Sequence, residues 1–114
     1  MKLKTIQYGI QDGIAVITFD EENSPVNTMC LQWQDDLDAV AAQVAKDKDA
    51  IRGIILASAK STFFAGADLK GVMRMKPEDA TRVYVEIERI KKNFRIIETL
   101  GKPVVSCLNG TALG

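Results

Sequence analysis

The chain of 114 residues contains no histidine, and that absence excludes more chemistry than anything else in its composition. Ser-His-Asp and Cys-His nucleophilic catalysis, His-ligated zinc and phosphohistidine chemistry all need the imidazole. Any acid or base among these residues is therefore a carboxylate, a lysine or a tyrosine. Cysteine is almost as scarce. Cys30 and Cys107 lie far apart with no metal-type spacing, and they are expected to be buried thiols in a reducing compartment. A charge excess is missing too: fifteen Lys and Arg balance fifteen Asp and Glu. No long-range positive field draws in nucleic acid or an anionic membrane, so an anionic ligand must be held by local groups. No apolar run approaches the roughly 20 residues of a membrane span, and "MKLKTIQYGIQDG" lacks the apolar segment of a signal peptide. The expectation is a cytoplasmic protein. Repeats, linkers and low-complexity tracts are absent as well.

What remains is an ordinary globular composition, 46% apolar and 26% charged, long enough for one core. "TIQYGI" and "IAVITFD" flank Asp12-Gly13, a favoured two-residue turn, and predict a hairpin. "DEENSPVN" (20–27) is a polar loop whose acids read as a solvated turn rather than a cation site. Met29, Trp33, Leu37, Val40 and Val44 then recur at helical spacing, predicting a helix of about 18 residues from Thr28 with Asn27 as its cap. "GIILAS" (53–58) reads as a strand covered on both faces. A second long helix has Pro77 in its first turn, a buried stripe of Val83, Ile87, Ile90, Phe94 and Ile97, and Gly101 and Pro103 as its stop. "PVVSCLNG" (103–110) is a short apolar strand ending in an Asn-Gly turn. Strand, strand, helix, strand, helix, strand makes an α/β layered fold.

Two stretches could carry chemistry. In "FFAGADLKG" (63–71) a buried strand gives way to small residues, and Asp68 can cap a short helix over Leu69 to Met75. Such a turn leaves backbone N–H groups unpaired, so a ligand carbonyl could reach the Ala67 N–H as in an oxyanion hole, while the Ala65 carbonyl could accept a hydrogen bond. The competing interpretation is that small residues merely let strand and helix pack closely. "NGTALG" (109–114) repeats the pattern, and two such strand ends could aim amides at one point. The acids Glu86 and Glu88, and Asp35, Asp36 and Asp38, sit at helical spacing and read as solvated faces.

With "FFAGADLK" at 63–70, "KPVVSCLNGTALG" at 102–114 and the hairpin, loop and helix order before them, the sequence resembles the crotonase, or enoyl-CoA hydratase/isomerase, superfamily. "FDEENSPVNTM" and "FFAGADLKGVM" look most like the amino-terminal hydratase/isomerase domain of multifunctional fatty-acid-oxidation proteins that also carry an NAD-dependent 3-hydroxyacyl-CoA dehydrogenase. The resemblance implies a ClpP/crotonase-like spiral of strand-strand-helix units, here the amino-terminal part of one domain (residues 1–114).

The resemblance also implies roles. Ala67 supplies the first oxyanion-hole amide to a coenzyme A thioester, and Ala65 presents its carbonyl to the adenine. Gly66, Asp68, Leu69 and Lys70 line the same substrate loop, Val26 and Asn27 flank the coenzyme A moiety, and Gly114 begins the glycine run that holds the second donor. Many relatives carry a basic residue near position 24, where this chain has Ser24. Residues 73–83 help wall the acyl pocket. No cofactor is implied for this domain, coenzyme A being part of the substrate, and NAD only where a dehydrogenase domain follows. The implied assembly is a trimer-based homo-oligomer, or a complex with thiolase. The family's catalytic glutamates and second donor lie beyond the matched positions, so a truncated chain without hydratase activity is expected. The remaining alternatives are a non-catalytic coenzyme A-binding or assembly module, or another reaction of the superfamily.

Overall fold

A computed structural model describes residues 1–114. Strands Ile6–Gln11 (β1) and Ile14–Phe19 (β2) form the expected hairpin. At its tip Asp12 and Gly13 hold φ of 51° and 79°, the left-handed pair that a two-residue hairpin turn requires. β2 alternates as a half-covered strand should: Ala15, Ile17 and Phe19 are buried while the residues between them are half-buried. Helix Leu31–Lys46 (α1) then crosses to strand Gly53–Ser58 (β3), which runs parallel to β2 with Ile14 beside Gly53 and Phe19 beside Ser58. A short helix Leu69–Met73 (α2) and a long one Ala80–Glu98 (α3) lead to strand Val104–Ser106 (β4), parallel to β3. The sheet order is β1-β2-β3-β4.

One apolar cluster joins the layers, with Ile6, Ile17 and Ile54 from the sheet meeting Trp33, Leu37 and Val40 of α1 and Ile97 of α3. α1 and α3 are also clasped by charge. Arg89 pairs with Asp35 and Asp38, and Asn93 donates to the same Asp38 carboxylate.

Several expectations are corrected. α1 starts at Leu31 rather than Thr28, and its N-cap position is Cys30, whose side chain makes no capping bond. Asn27 does not cap it, because its carboxamide is turned into the core. Asp36 is not on a solvated face: it is 3% exposed and receives the Lys4 and Thr5 backbone amides at 2.9 and 2.8 Å and the Thr5 hydroxyl at 2.6 Å. It thereby ties the chain's first residues to α1. Cys30 is half-buried and Cys107 exposed, so neither is the buried thiol expected. β3 is not covered on both faces, since Ile55 to Ser58 are half-buried, and β4 is three exposed residues rather than eight. In α3 the apolar stripe is fully covered only at its carboxyl end: Val83 is half-buried, Ile87 exposed, Ile90 and Phe94 half-buried, and Ile97 fully buried. The amino-terminal half of α3 therefore overhangs a space rather than the core.

Asp36 makes a pH prediction. Burial alone would push its carboxyl up, but the bonds from Thr5, Gln32 and the Lys4 amide outweigh burial and hold it below its ordinary 3.8. A depressed folded value stabilises above the unfolded value and fades as pH falls through the folded one. Asp36→Asn should cost about 1–3 kcal/mol at pH 7, and its stability should fall less steeply than that of the wild type below pH 4. Urea unfolding across pH 2–7 checks both.

Candidate functional site

The site begins with a buried amide. Asn27 is 1% exposed, and its side chain reaches the ends of three segments. Oδ1 accepts from the Glu21 N–H at 3.0 Å, while Nδ2 donates to Ser58 Oγ at 3.0 Å, to the Phe63 carbonyl at 3.1 Å and, more weakly, to the Phe19 carbonyl at 3.3 Å. Nδ2 carries two hydrogens, so the longest of the three contacts is a shared one. The exits of β2 and β3 and the start of the 63–70 loop are thus fixed to one group. Ser58 extends the network by donating to the Thr62 carbonyl at 2.7 Å and accepting from the Lys60 amide at 3.0 Å.

Behind the loop sit five of the chain's aromatic side chains. Phe19, Trp33, Phe63 and Phe64 contact one another with ring centroids 5.3–6.3 Å apart, mostly edge to face, and Phe94 of α3 joins through Trp33. Two phenylalanines therefore anchor the root of the loop, and the backbone beyond them is held by hydrogen bonds. The Ala65 N–H donates to the Asn27 carbonyl at 2.8 Å and the Met29 N–H to the Gly66 carbonyl at 2.9 Å. On the other side the Phe64 carbonyl accepts from the Leu113 N–H at 2.9 Å, and Phe64 bridges Ala112 in parallel.

The two stretches singled out in the sequence are consequently neighbours. A Cβ on Gly114 would lie 2.9 Å from the Gly66 Cα, and one on Gly66 would lie 3.3 Å from the Leu113 carbonyl. Both glycines also hold left-handed φ, 86° at Gly66 and 100° at Gly114, so their lack of a side chain serves conformation and contact alike. With the flanking groups engaged, the Ala67 N–H and the Ala65 carbonyl make no hydrogen bond within the chain. Ala67 is exposed. Asp68 caps α2, its Oδ1 accepting from the Lys70 N–H at 3.2 Å. Leu69 and Lys70 are exposed on that helix, and Val26 is half-buried in the early loop. Ser24 makes a local turn in place of a charge, donating to the Val26 carbonyl at 2.7 Å.

A cavity of about 510 Å³ opens beside Ala67, walled by Met29 and Cys30 before α1, Val72 and Met75 around α2, and Ile87 and Ile90 of α3. It is the space that the upper half of α3 overhangs. A smaller one of about 250 Å³ lies against Phe64, Phe94 and Gly114, and Met29 borders both. Glu86 also lines the larger cavity. It is paired with Arg82 at 2.8 Å and its side chain is 21% exposed, so periodicity alone misplaced it on a solvated face. The acids Asp20 and Glu21 are engaged as well: Asp20 pairs with Lys60 at 3.0 Å, and Glu21 accepts from Thr28 through both its N–H and its hydroxyl. Burial, with Glu21 nearby, pushes the Cys30 thiol above its ordinary range despite an opposing backbone bond at Trp33.

The sequence profile of the family described as enoyl-CoA hydratase/isomerase matches residues 9–114, a span that includes both loops. The chain belongs to the enoyl-CoA hydratase/isomerase family. It is 31% identical over 105 residues to the fatty acid oxidation complex subunit alpha of Psychrobacter sp. (strain PRwf-1), and 30% identical over 104 residues to that of Shewanella frigidimarina (strain NCIMB 400). Those alignments take in 92% and 90% of this chain but 14% of each relative, so the chain spans about a seventh of their length. Among solved structures, the enoyl-CoA hydratase of Bacillus anthracis superposes with a TM-score of 0.80 at 27% identity, over 96% of this chain and 42% of that one. An enoyl-CoA hydratase from Shewanella pealeana gives 0.82 at 17% identity, over 99% of this chain and 42% of the other, a likeness of fold. The fold is the crotonase one.

Because Asn27 donates to three oxygens, charge should be worse for it than truncation. Asn27→Ala is expected to cost about 2–4 kcal/mol. Asn27→Asp should cost at least as much, since a carboxylate would face the Phe19 and Phe63 carbonyls with no hydrogen to offer. Equilibrium unfolding of both variants reads the order.

Proposed function

We propose that this chain forms the thioester-binding side of an enoyl-CoA hydratase/isomerase site and binds acyl-CoA. The observation that carries the reading is a pair of free backbone groups on a loop anchored on both sides: the Ala67 N–H and the Ala65 carbonyl, flanked by a Gly66 carbonyl and an Ala65 N–H that are both bonded. A loop fixed in this way presents its donor without having to order it on binding, the condition under which a backbone amide best stabilises an oxyanion. The Ala67 N–H takes the thioester oxygen, and the negative charge that develops there in an enolate-like transition state is held by that amide. The Ala65 carbonyl accepts from the exocyclic amino group of the adenine. The cavity beside Ala67, lined by Met29, Val72, Met75, Ile87 and Ile90, receives the acyl chain.

Asn27 acts as a positioning residue in this scheme, because its side chain is used up inside the protein. No strong phosphate-pairing charge stands in the early loop, where Ser24 turns back on Val26 and Lys60 is already paired with Asp20. Affinity then rests on the backbone groups and on the cavity, whose wall is mostly apolar but includes Arg74. The two carboxylates lining that cavity are both engaged, Asp68 as a helix cap and Glu86 with Arg82. Neither is a free base for activating water. Binding without turnover is the consequence for the 114-residue chain.

The test combines three readings on that chain. Octanoyl-CoA should bind saturably and slow alkylation of Cys30, which lines the cavity, several-fold, while leaving the exposed Cys107 unaffected. Peptide mass spectrometry after iodoacetamide treatment at pH 8 separates the two thiols. Crotonyl-CoA should be hydrated no faster than in a protein-free control. Unprotected Cys30 would overturn the binding site, and measurable hydration would overturn the assignment of Asp68 and Glu86 as bystanders.

A further inference from the structure

Gln34 stands out among the buried polar residues. It projects from the first turn of α1, is 5% exposed and lines the cavity beside Ala67, yet its Oε1 has no hydrogen-bond partner. The buried Thr5, Asp36, Asn27 and Asn93 are bonded: Thr5 and Asp36 to each other, Asn27 to four groups, and Asn93 to Asp38. A buried amide oxygen left without a partner costs about 1–3 kcal/mol, so a protein that retains one needs a reason. The remaining buried side-chain atoms without partners, Trp33 Nε1 and Thr62 Oγ1, belong to residues outside this cavity. Around Gln34 the wall is otherwise largely apolar, with Met29, Leu31, Val83 and Ile90; of its charged members, Arg82 and Glu86 are paired with each other, Asp68 caps α2, and Arg74 follows that helix.

We infer that Gln34 is a specificity-determining residue that selects acyl thioesters bearing a hydroxyl on the chain. This rests on the acyl-CoA reading of the same cavity. A hydroxyl both donates and accepts, so it satisfies the carboxamide whichever way the amide is turned. A saturated hydrocarbon chain would bury the same carboxamide more deeply and leave it unpaired. Sites built around a polar group reject analogues that lack its partner, by a larger factor than apolar pockets discriminate between chain lengths. Gln34 lies on α1, whereas the Ala67 amide lies on the loop before α2, so the hydroxyl it recognises is on the acyl chain and separate from the thioester carbonyl.

Isothermal titration of the 114-residue chain with decanoyl-CoA, and with decanoyl-CoA hydroxylated at C4, C6 or C8, tests this. At least one hydroxylated thioester should bind about five- to tenfold more tightly than the plain one, the worth of one buried hydrogen bond. Gln34→Met keeps the volume and the helix propensity while removing both polar atoms. It should bring that ratio below about twofold and leave the thermal midpoint equal or higher, because an unpaired buried oxygen has been removed. The midpoint is the reading that a structural role would move the other way. Equal affinity for all four thioesters, or a preference that survives in Gln34→Met, overturns this inference alone. Failure of every thioester to bind overturns the acyl-CoA reading and this inference with it.

Discussion

The geometry of the site depends on how one carboxamide is satisfied. Asn27 could have capped α1, an easy local use for its oxygen just before a helical run. Instead it reaches Glu21, Phe19, Ser58 and Phe63, groups up to 36 residues away. Those bonds tie together the exits of β2 and β3 and the start of the 63–70 loop, through the Phe19 carbonyl, which also accepts from the Ala59 N–H, the Ser58 hydroxyl and the Phe63 carbonyl. Spending Asn27 in this way delays α1 by a turn. Residues 28–30 stay extended enough for the Met29 amide to meet the Gly66 carbonyl, and the Asn27 carbonyl is left for the Ala65 amide. The loop is then stitched through its Ala65 amide and its Gly66 carbonyl, and the Ala65 carbonyl and the Ala67 amide are among the groups left free. Free groups on a fixed loop follow from where the bonds were placed rather than from anything special about alanine.

Bulk and smallness divide the work along the same stretch. Phe63 and Phe64 bury their rings against Phe19 and Trp33 and fix where the loop leaves the core. Ala65, Gly66 and Ala67 then keep side chains out of the way of approach. Close packing and ligand access were rival explanations of these small residues, and the structure gives each a share. Gly66 is small because it touches Gly114 and holds a left-handed φ. Ala67, exposed and unbonded, has no packing reason of that kind.

What could be read from the sequence follows range. The hairpin was legible because Asp12-Gly13 states its own turn and the flanking strands alternate. The second long helix was legible for the same local reason, as was the pairing of FFAGAD with a helix cap at Asp68, which the structure shows. Asp36 and Asn27 were misplaced because they have partners distant in sequence, and Glu86, which pairs locally with Arg82, because the cavity it lines is completed by other elements. Asp36 meets Thr5, 31 residues away, and helical spacing alone puts it with its neighbours Asp35 and Asp38 on one polar face. Glu86 sits at polar spacing on α3, but the wall opposite it is built by α2 and the turn before α1. Strand β4 was overextended for a different reason. The stretch is apolar, but only Val104, Val105 and Ser106 stand in register with β3, with one further bond from the Cys107 N–H to the Leu56 carbonyl, and composition does not report where a neighbour ends.

Charge supports the same assignment of labour. With no net charge and its nearby lysine occupied by Asp20, this chain has little long-range attraction to offer an anionic ligand. Recognition then falls to short-range groups that are either fixed or buried, and these differ in kind. The Ala67 amide is exposed and water can satisfy it when no ligand is present, so leaving it free costs the folded state little. The Gln34 carboxamide is buried, where water reaches it poorly, so leaving it free weakens the folded state. A backbone amide is common to every residue and tells ligands apart only by position. A buried carboxamide tells them apart by whether they bring a partner, and in this cavity it is the group best placed to distinguish one acyl chain from another.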